Sequence, residues 1–266
     1  MFQWVRFDTN VFSFISKCSS LEKLSIKSCS NIGNLDIDIP SLEFFHFYGS
    51  FEAICFSKAS QNLSTVIIDN AATDVNISVL ESSEPINLFQ CLRNVEHLRL
   101  GSHFVDYLVE GTMPRKLSAT LGWLRVLELP EIRFGWADEV SLVLCLVVSS
   151  PNLQKLEIGS VPTTYEIQSL APEILKVQDL LDNALKKLRV VSMKLADTEV
   201  VKAELEFIKF LLAESVVLEK MFIQPAEGAV ALKILKEVLR FQRSSTKAEI
   251  VYLDPDDEVL CVWDLL

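Results

Sequence analysis

Eight copies of one apolar phrase recur along the 266 residues of the chain. Each copy consists of leucine or valine, two variable residues, an apolar residue, one variable residue and a second apolar residue. The apolar positions are Leu21/Leu24/Ile26, Leu42/Phe45/Phe47, Leu63/Val66/Ile68, Val95/Leu98/Leu100, Leu124/Leu127/Leu129, Leu153/Leu156/Ile158, Leu188/Val191/Met193 and Leu218/Met221/Ile223. The last two apolar positions flank one outward residue, as in a strand that buries a single face. Each copy therefore predicts one short strand.

The copies start 21, 21, 32, 29, 29, 35 and 30 residues apart. This spacing covers the roughly 20–29-residue period of leucine-rich repeats and runs somewhat past it. A unit of this size cannot bury its apolar edge alone, so neighbouring strands must stack over a shared core. We therefore expect an α/β fold, a right-handed leucine-rich-repeat solenoid with a parallel sheet on its concave face and helices and loops on its convex face.

Beyond residue 180 the pattern changes to the order strand, helix, strand, helix, strand. The strands are predicted at residues 188–194, 218–223 and 248–253 and the first helix at residues 199–214, with a second helix before the last strand. That second helix follows Gly228 and turns these residues inward: Val230, Leu232, Leu235, Val238 and Leu239. We expect this segment to cap the solenoid and to continue its sheet. We therefore divide the chain into a solenoid of residues 1–180 and a C-terminal domain of residues 181–266.

Composition and charge limit the kinds of partner that the protein is expected to bind and the cellular compartments in which it is expected. The net charge of −11 disfavours nucleic acid, whose binding depends on Lys and Arg, and disfavours anionic membrane. The six cysteines contain no C-x-x-C pair, so we expect reduced thiols rather than a disulfide framework or a zinc site. The first residues show no secretory signal, and the apolar run 140–148 is too short to span a bilayer. These features predict a cytoplasmic or nuclear protein.

The sequence shows no pattern that indicates catalysis. The three histidines, His46, His97 and His103, lack a metal-ligand spacing, and neither a phosphate-binding loop nor a nucleophile elbow is present. We expect no catalytic residue, no metal ligand and no cofactor. His46 and His97 fall between apolar strand positions, and we interpret both as solvated surface histidines.

The outward positions of the predicted strands form the candidate partner-binding surface, because such positions carry recognition in repeat solenoids. These residues are Lys23, Ser25, Phe44, His46, Tyr48, Asp69, His97, Arg99, Glu128, Lys155, Glu157, Ser192, Lys194, Lys220 and Phe222. Phe44, His46 and Tyr48 are the candidate anchor, since exposed aromatic residues are enriched at interface hot spots. The alternative is that these rings pack on neighbouring strands, and Phe222 shares this ambiguity.

The last predicted helix carries a second candidate surface, a basic stripe at helical spacing. Its residues are Lys233, Lys236, Arg240 and Arg243. On an acidic protein such a stripe could bind a phosphate group or an acidic partner. The simpler interpretation is the solvated face of an amphipathic helix, with basic charge near its C-terminus.

Two regions carry a resemblance to a known family. Leu188-Arg-Val-Val-Ser-Met-Lys, Glu204-Leu-Glu-Phe-Ile-Lys and Leu218-Glu-Lys-Met-Phe-Ile together closely resemble the FBD domain of plant F-box proteins. Ser149-Ser-Pro-Asn-Leu-Gln-Lys-Leu-Glu-Ile is similar to the last leucine-rich repeat of the same family. The resemblance implies an FBD-type β-α-β-α-β cap and substrate recruitment to a Skp–cullin–F-box ubiquitin ligase.

The start of the chain departs from that family plan. The repeats begin by about residue 11 with no F-box before them, so contact with a Skp-type adaptor is expected only if an F-box lies upstream. Residues 1–20 are rich in apolar side chains, whereas the end of a solenoid needs a polar cap. We therefore expect an N-terminally truncated sequence.

The resulting hypothesis is a non-enzymatic protein-recognition module that resembles the substrate-receptor part of an F-box/leucine-rich-repeat ligase subunit. Its partner would be a protein substrate that the sequence does not name. One alternative is a stand-alone or decoy repeat protein that binds the same partners without recruiting a ligase. The other is a small-molecule or hormone-sensing module, which predicts a deep pocket on the inner surface.

Overall fold

The computed structural model describes most of the chain. It covers residues 1–3, 18, 20–29, 34–49, 53–56, 61–70, 85–110, 114–162, 175, 184–196, 202–225 and 230–254. The predictions about the apolar beginning around Trp4 and about the start of the helix from residue 199 lie outside these ranges. The side chain of Lys233 also lies outside the described part of the chain.

The strands within the described ranges build a long parallel sheet. They are β1 (Phe2–Gln3), β2 (Lys23–Cys29), β3 (Asn34–Asp36), β4 (Phe44–Gly49), β5 (Ala53–Cys55), β6 (Thr65–Asn70), β7 (His97–Leu100), β8 (Val126–Ile132), β9 (Lys155–Ser160), β10 (Val190–Lys194), β11 (Lys220–Gln224) and β12 (Glu249–Tyr252). Ten of them form one sheet in the order β1-β2-β4-β6-β7-β8-β9-β10-β11-β12, and β3 pairs with β5 in a separate sheet. All eight apolar phrases lead into strands of the long sheet, which confirms the predicted leucine-rich-repeat solenoid.

Helices occupy the later connections between strands of the long sheet. They are α1 (Ser102–Val109), α2 (Ala137–Val148), α3 (Lys202–Glu214) and α4 (Val230–Val238), and a 3-10 helix spans Pro85–Gln90. From β10 to β12 the order is strand, helix, strand, helix, strand, as the sequence predicts.

One backbone arrangement joins each strand to the strand before it. The carbonyl oxygen of Glu22 accepts hydrogen bonds from the N–H groups of Glu43 and Phe44, at 2.8 and 3.0 Å. The same bifurcated bond recurs at each step from β2 to β11, where the carbonyl of Arg189 accepts from two consecutive N–H groups. The bond fixes the register of β4 and of the strands from β6 to β11. A slip of one residue in any of these strands would move all its buried side chains to the other face of the sheet.

The apolar positions of the repeats stack into a continuous core on one face of the sheet. Phe45, Leu98 and Met221 are completely or almost completely buried, as are their counterparts in the other repeats. The helices pack on this same face, and the rings of Phe134 and of Phe207 in α3 lie 5.3 Å apart. The sequence also predicts a buried helix from Asp138 to Val148, and α2 confirms it.

Asparagine side chains link the turns that precede the strands. Asn62 donates to the carbonyl of Pro40, and Asn94 to that of Gln61. Asn152 donates in the same way to the carbonyl of Gly122. Each asparagine directly precedes the first apolar residue of its repeat. The acceptor lies two residues before the corresponding apolar residue of the preceding repeat. The turns on this edge are therefore joined by a side-chain ladder that the sequence analysis did not predict.

Several predicted helix boundaries are wrong. The apolar residues from Ile86 to Leu92 also predict a helix on the convex side, but the structure has a 3-10 helix at Pro85–Gln90, and α1 is not among the predicted elements. Helix α4 ends at Val238, so Leu239, predicted to face inward, is 53% exposed. Arg240 and Arg243 follow the helix end, and Arg243 donates instead to the backbone carbonyl of Ala248 at 2.9 Å. The predicted basic stripe is therefore not a single helical surface.

Contacts also cross the predicted domain boundary near residue 180. β9 pairs directly with β10, and the hydroxyl of Ser160 donates to the carboxylate of Glu204 in α3 at 2.7 Å. Burial raises the pKa of Glu204 despite this hydrogen bond. The sheet thus continues past residue 180, and the division into two domains stays a prediction.

Gly159 provides a test of the packing between β8 and β9. The register shifts between Leu129 and Ile132, and a Cβ at position 159 would lie 2.0 Å from the carbonyl oxygen of Pro130. Gly159→Ala should therefore cost about 1–3 kcal/mol of unfolding free energy, as overpacking does. In Gly122→Ala, the added Cβ meets no atom within 4 Å. Thermal denaturation should show a clear loss for the first variant only, and equal melting temperatures would contradict the close approach.

Candidate functional site

The strand register arranges the variable residues in rows on the face of the sheet opposite the core, here called the open face. One row consists of Lys23, Phe44, Thr65, His97, Val126, Lys155, Val190 and Lys220. The next consists of Ser25, His46, Ile67, Arg99, Glu128, Glu157, Ser192 and Phe222. Tyr48 and Asp69 are paired further along their strands, as are Lys194 and Gln224. The predicted partner-binding residues thus share one face, and their role in binding stays a prediction.

An ionic network occupies the centre of the open face. Arg99 donates through Nε to Asp69 at 3.2 Å and through Nη1 to Glu128 at 2.9 Å. The Nε2 atom of His97 lies 2.8 Å from the other carboxylate oxygen of Glu128. At the other end, the Nε2 atom of His46 lies 3.9 Å from Asp69. The network therefore connects four neighbouring strands, β4, β6, β7 and β8.

Glu128 is the most buried member of this network, with 7% of its surface exposed. Burial by itself would raise the pKa of the carboxyl, but the hydrogen bonds of His97 and Arg99 outweigh it and lower the pKa. Burial would likewise lower the pKa of Arg99, but the hydrogen bond to Glu128 and the charge of Asp69 raise it. Both groups are charged at neutral pH, so the network fixes opposite charges in place.

Glu157 lies next to Glu128 in register but has the opposite electrostatic environment. Burial raises its pKa first, and the charge of Glu128 raises it further. Within the described ranges, the carboxylate of Glu157 has no hydrogen-bond partner. Lys155, one row away on the same strand, has its pKa lowered by burial. Among the described residues, Glu157 is thus a half-buried acceptor without a protein donor.

The aromatic residues lie on β4, at one side of the network. Tyr48 is 41% exposed, whereas Phe44 and His46 are half-buried. The rings of Phe44 and His46 meet edge to face with their centroids 6.4 Å apart. Burial, and then the charge of Lys27, lower the pKa of His46. Tyr48 is therefore the exposed aromatic group of this trio, while the other two rings pack on each other.

The interpretation of His46 and His97 as solvated histidines is wrong. Their side chains are only 18% and 12% exposed, because the parallel register places each beside a carboxylate. Glu128, Lys155 and Ser192 are also buried. Strands on both sides cover a side chain in the middle of a sheet, a burial that the position of a residue within its own repeat does not reveal.

Two residues of the open face were missed because they are apolar. Val126 and Val190 lie on either side of Lys155 in the same row as His97. Valine in a strand is ordinarily assigned to the core, and neither residue is among those predicted for the open face. Each valine lies directly before a buried position of its strand. This alternation is the signal in the sequence that could have placed both valines on the open face. The open face therefore includes apolar surface beside Lys155.

Comparisons with known proteins agree with this repeat-built surface. A family model described as "FBD-associated F-box protein At5g56370, LRR repeats" matches residues 4–158. The chain belongs to this FBD-associated F-box family. An F-box/FBD/LRR-repeat protein of Arabidopsis thaliana, At1g13570, is 30% identical over 247 residues, or 91% of this chain. The aligned part is 58% of that relative, so the chain spans less than two thirds of its length.

Membership in the F-box/FBD/leucine-rich-repeat family confirms the resemblance to plant proteins of this type and indicates a role in protein interaction. Within the described ranges, no helix of this family member combines the length and the apolar character that crossing a bilayer requires.

The two neighbouring carboxylates predict opposite effects of removing charge. Glu128→Gln should lower the unfolding free energy at pH 7 by about 1–3 kcal/mol, because the neutral amide keeps one acceptor oxygen where the carboxylate offers two charged ones to Arg99 and His97. The pKa of Glu128 is lowered by folding, so its contribution is present above about pH 4.5 and is lost as the pH falls towards the folded-state pKa. Urea denaturation should show the difference from the unmodified protein shrinking below about pH 4.5.

Glu157→Gln is the matched control with the opposite sign. The pKa of Glu157 is raised by folding, so its ionised form costs stability once the pH rises from about 4.5 past the folded-state pKa. At pH 7 this variant should be more stable than the unmodified protein, and the two should converge in acid. A loss of stability in both variants at pH 7 would contradict the assigned environments.

Proposed function

We propose that this F-box/FBD/leucine-rich-repeat chain is the substrate-receptor part of a Skp–cullin–F-box ubiquitin ligase subunit, and that its open face binds the protein substrate. The observation that carries the proposal is Glu157, a half-buried carboxylate that has no hydrogen-bond donor among the described residues and lies beside a paired ionic network. A lysine or arginine of the substrate would supply the missing donor.

The fixed charges favour selective binding. Arg99, His97 and Glu128 hold one another in place across two strands, so little side-chain freedom is lost when a partner arrives. Charges arranged in this way reject partners that place like charge opposite them. The network would thus act mainly on specificity, while contact area would come from exposed groups such as Tyr48.

The geometry of the sheet sets the length of the substrate segment. Four strand spacings separate Tyr48 on β4 from Glu157 on β9, which amounts to roughly 19 Å. An extended chain covers this distance in about six residues. We expect a segment that places a basic side chain at Glu157 and an apolar or aromatic side chain at Tyr48.

In this proposal the chain binds and does not catalyse. A Skp-type adaptor would be held by an F-box rather than by the open face. The ligase would bring the bound substrate near a ubiquitin-charged enzyme, and the rate gain would come from that proximity. The protein would act in the cytoplasm or nucleus.

The small-molecule alternative finds little support on the open face. Val126, Glu128, Lys155, Glu157 and Ser192 surround a cavity of about 20 Å³. Ligand pockets usually measure roughly 300–1,000 Å³. This cavity could hold a water molecule but not a hormone-sized ligand. The decoy alternative uses the same open face and differs from the receptor only in its effect on partner abundance.

Partner capture with a variant of Glu157 tests the binding proposal. Immobilised Glu157→Gln should retain less of the substrate than the unmodified protein, although the variant is expected to be more stable. Lys236→Gln, an exposed change on α4, is the control and should capture the same proteins as the unmodified chain. Quantitative mass spectrometry of the captured proteins measures the difference.

The two expected effects of Glu157→Gln separate binding from folding. A partner lost only with this variant cannot be explained by unfolding, since stability moves in the other direction. Equal capture by the Glu157 variant, the Lys236 variant and the unmodified protein would overturn the open face as the substrate site.

Partner abundance in cells distinguishes the receptor from the decoy. If the full-length protein is raised in level, a substrate identified by capture should decline, and a proteasome inhibitor should prevent the decline. Expression of the Glu157→Gln variant should leave the substrate level nearer to its starting value. A rise in the substrate with the unmodified protein would instead indicate a decoy.

A further inference from the structure

A second candidate site lies on the turn edge of the sheet, away from the open face. The turns before β9, β10, β11 and β12 surround a cleft of about 410 Å³, here called the turn cleft. Its volume falls within the rough range of ligand pockets. None of the residues that line it belongs to the rows of the open face.

Basic residues dominate the turn cleft. Lys186, Lys187, Arg189 and Lys247 line it, against a single carboxylate from Glu219. The chain as a whole carries a net charge of −11, so this concentration of cations stands against its average. The potential within the cleft should therefore attract an acidic group that the rest of the surface repels.

The existing contacts leave most of this positive charge available. Arg189 and Glu219 lie 3.5 Å apart, and both side chains are about half exposed, which makes the ion pair weak. Lys187 donates to the neutral side-chain oxygen of Asn152 at 2.5 Å. Lys186 and Lys247 have no acidic partner in the part of the chain that the structure describes.

Two exposed valines give the turn cleft an apolar wall. Val216 and Val217 lie in the turn before β11, and 54% and 39% of their surfaces are exposed. A compact polyanion or a lipid headgroup presents no apolar side chain to such a wall. A peptide can place an apolar residue between acidic ones, and so can satisfy both the valines and the lysines.

We propose that the turn cleft binds a short acidic segment of a partner protein, with an apolar side chain against Val216 and Val217 and carboxylates at the surrounding basic residues. Charge complementarity selects the acid, and the valine wall selects a peptide. The segment would bind independently of a substrate on the open face, so this proposal does not depend on the proposed function.

Fluorescence anisotropy with a labelled peptide of alternating glutamate and leucine tests the proposal. The double charge reversal Lys186→Glu with Lys247→Glu should weaken binding roughly tenfold, because two favourable charge pairs become repulsive. Val216→Ser should weaken it by a smaller factor. The reversal of Lys202→Glu with Lys209→Glu changes net charge equally at exposed positions of α3 outside the cleft, and should leave the affinity nearly unchanged.

Further probes give the outcomes that would overturn the proposal. Equal binding of a peptide in which glycine replaces leucine would exclude a role for the valine wall. Binding of tripolyphosphate or of phosphatidylserine vesicles without binding of the peptide would show an anion or membrane site instead. An equal loss in both double reversals, or no peptide binding to a protein with an unchanged melting temperature, would likewise refute the site.

Discussion

In the long sheet, β4 and each strand from β6 to β11 is held at its start by one carbonyl oxygen of the preceding repeat, which accepts two consecutive backbone N–H groups. This bond sets the register, and the register decides which side chains are buried. Leu24, Phe45 and Val66 are aligned in one straight apolar row, because no strand can shift against its neighbour. Helix lengths and connection lengths vary between repeats, since they have only to cover the same core. The regular part of the molecule is thus the strand and the turn before it.

The same constraint shapes the chemistry of the open face. Equivalent residues of successive repeats lie one strand spacing apart, about 4.8 Å, so charges at equivalent positions are unavoidable neighbours. Arg99 resolves this by lying between Asp69 and Glu128, and each carboxylate receives one of its donors. Glu128 and Glu157 are adjacent with like charge, and burial together with this repulsion raises the pKa of Glu157. Among the described residues, the open face thus carries one carboxylate without a donor beside paired charges. This asymmetry is the basis of the proposed substrate specificity.

The repeats and the outward rows could be predicted from the sequence, because both follow from apolar residues that lie two positions apart in each strand. Sequence reasoning failed where the answer depends on the neighbouring strand. His97 was assigned to solvent although its partner, Glu128, lies 31 residues away. Val126 is absent from the predicted rows, although its register places it beside His97 and Lys155. Helix α1 was missed because only Phe104, Val105 and Leu108 of this short segment are buried, which is a weak periodic signal.

The asparagine ladder has a consequence for where the molecule can vary. An asparagine before the first apolar residue donates a side-chain hydrogen bond to the turn of the preceding repeat, as at positions 62, 94 and 152. In later repeats the same position holds Lys187, Val217 and Lys247, which line the turn cleft. One position therefore serves as a structural brace at three asparagines and as surface at Trp123, which is 57% exposed, and in the last repeats. The side chain at this position can change its role from one repeat to the next without a change in the backbone hydrogen bonds beneath it.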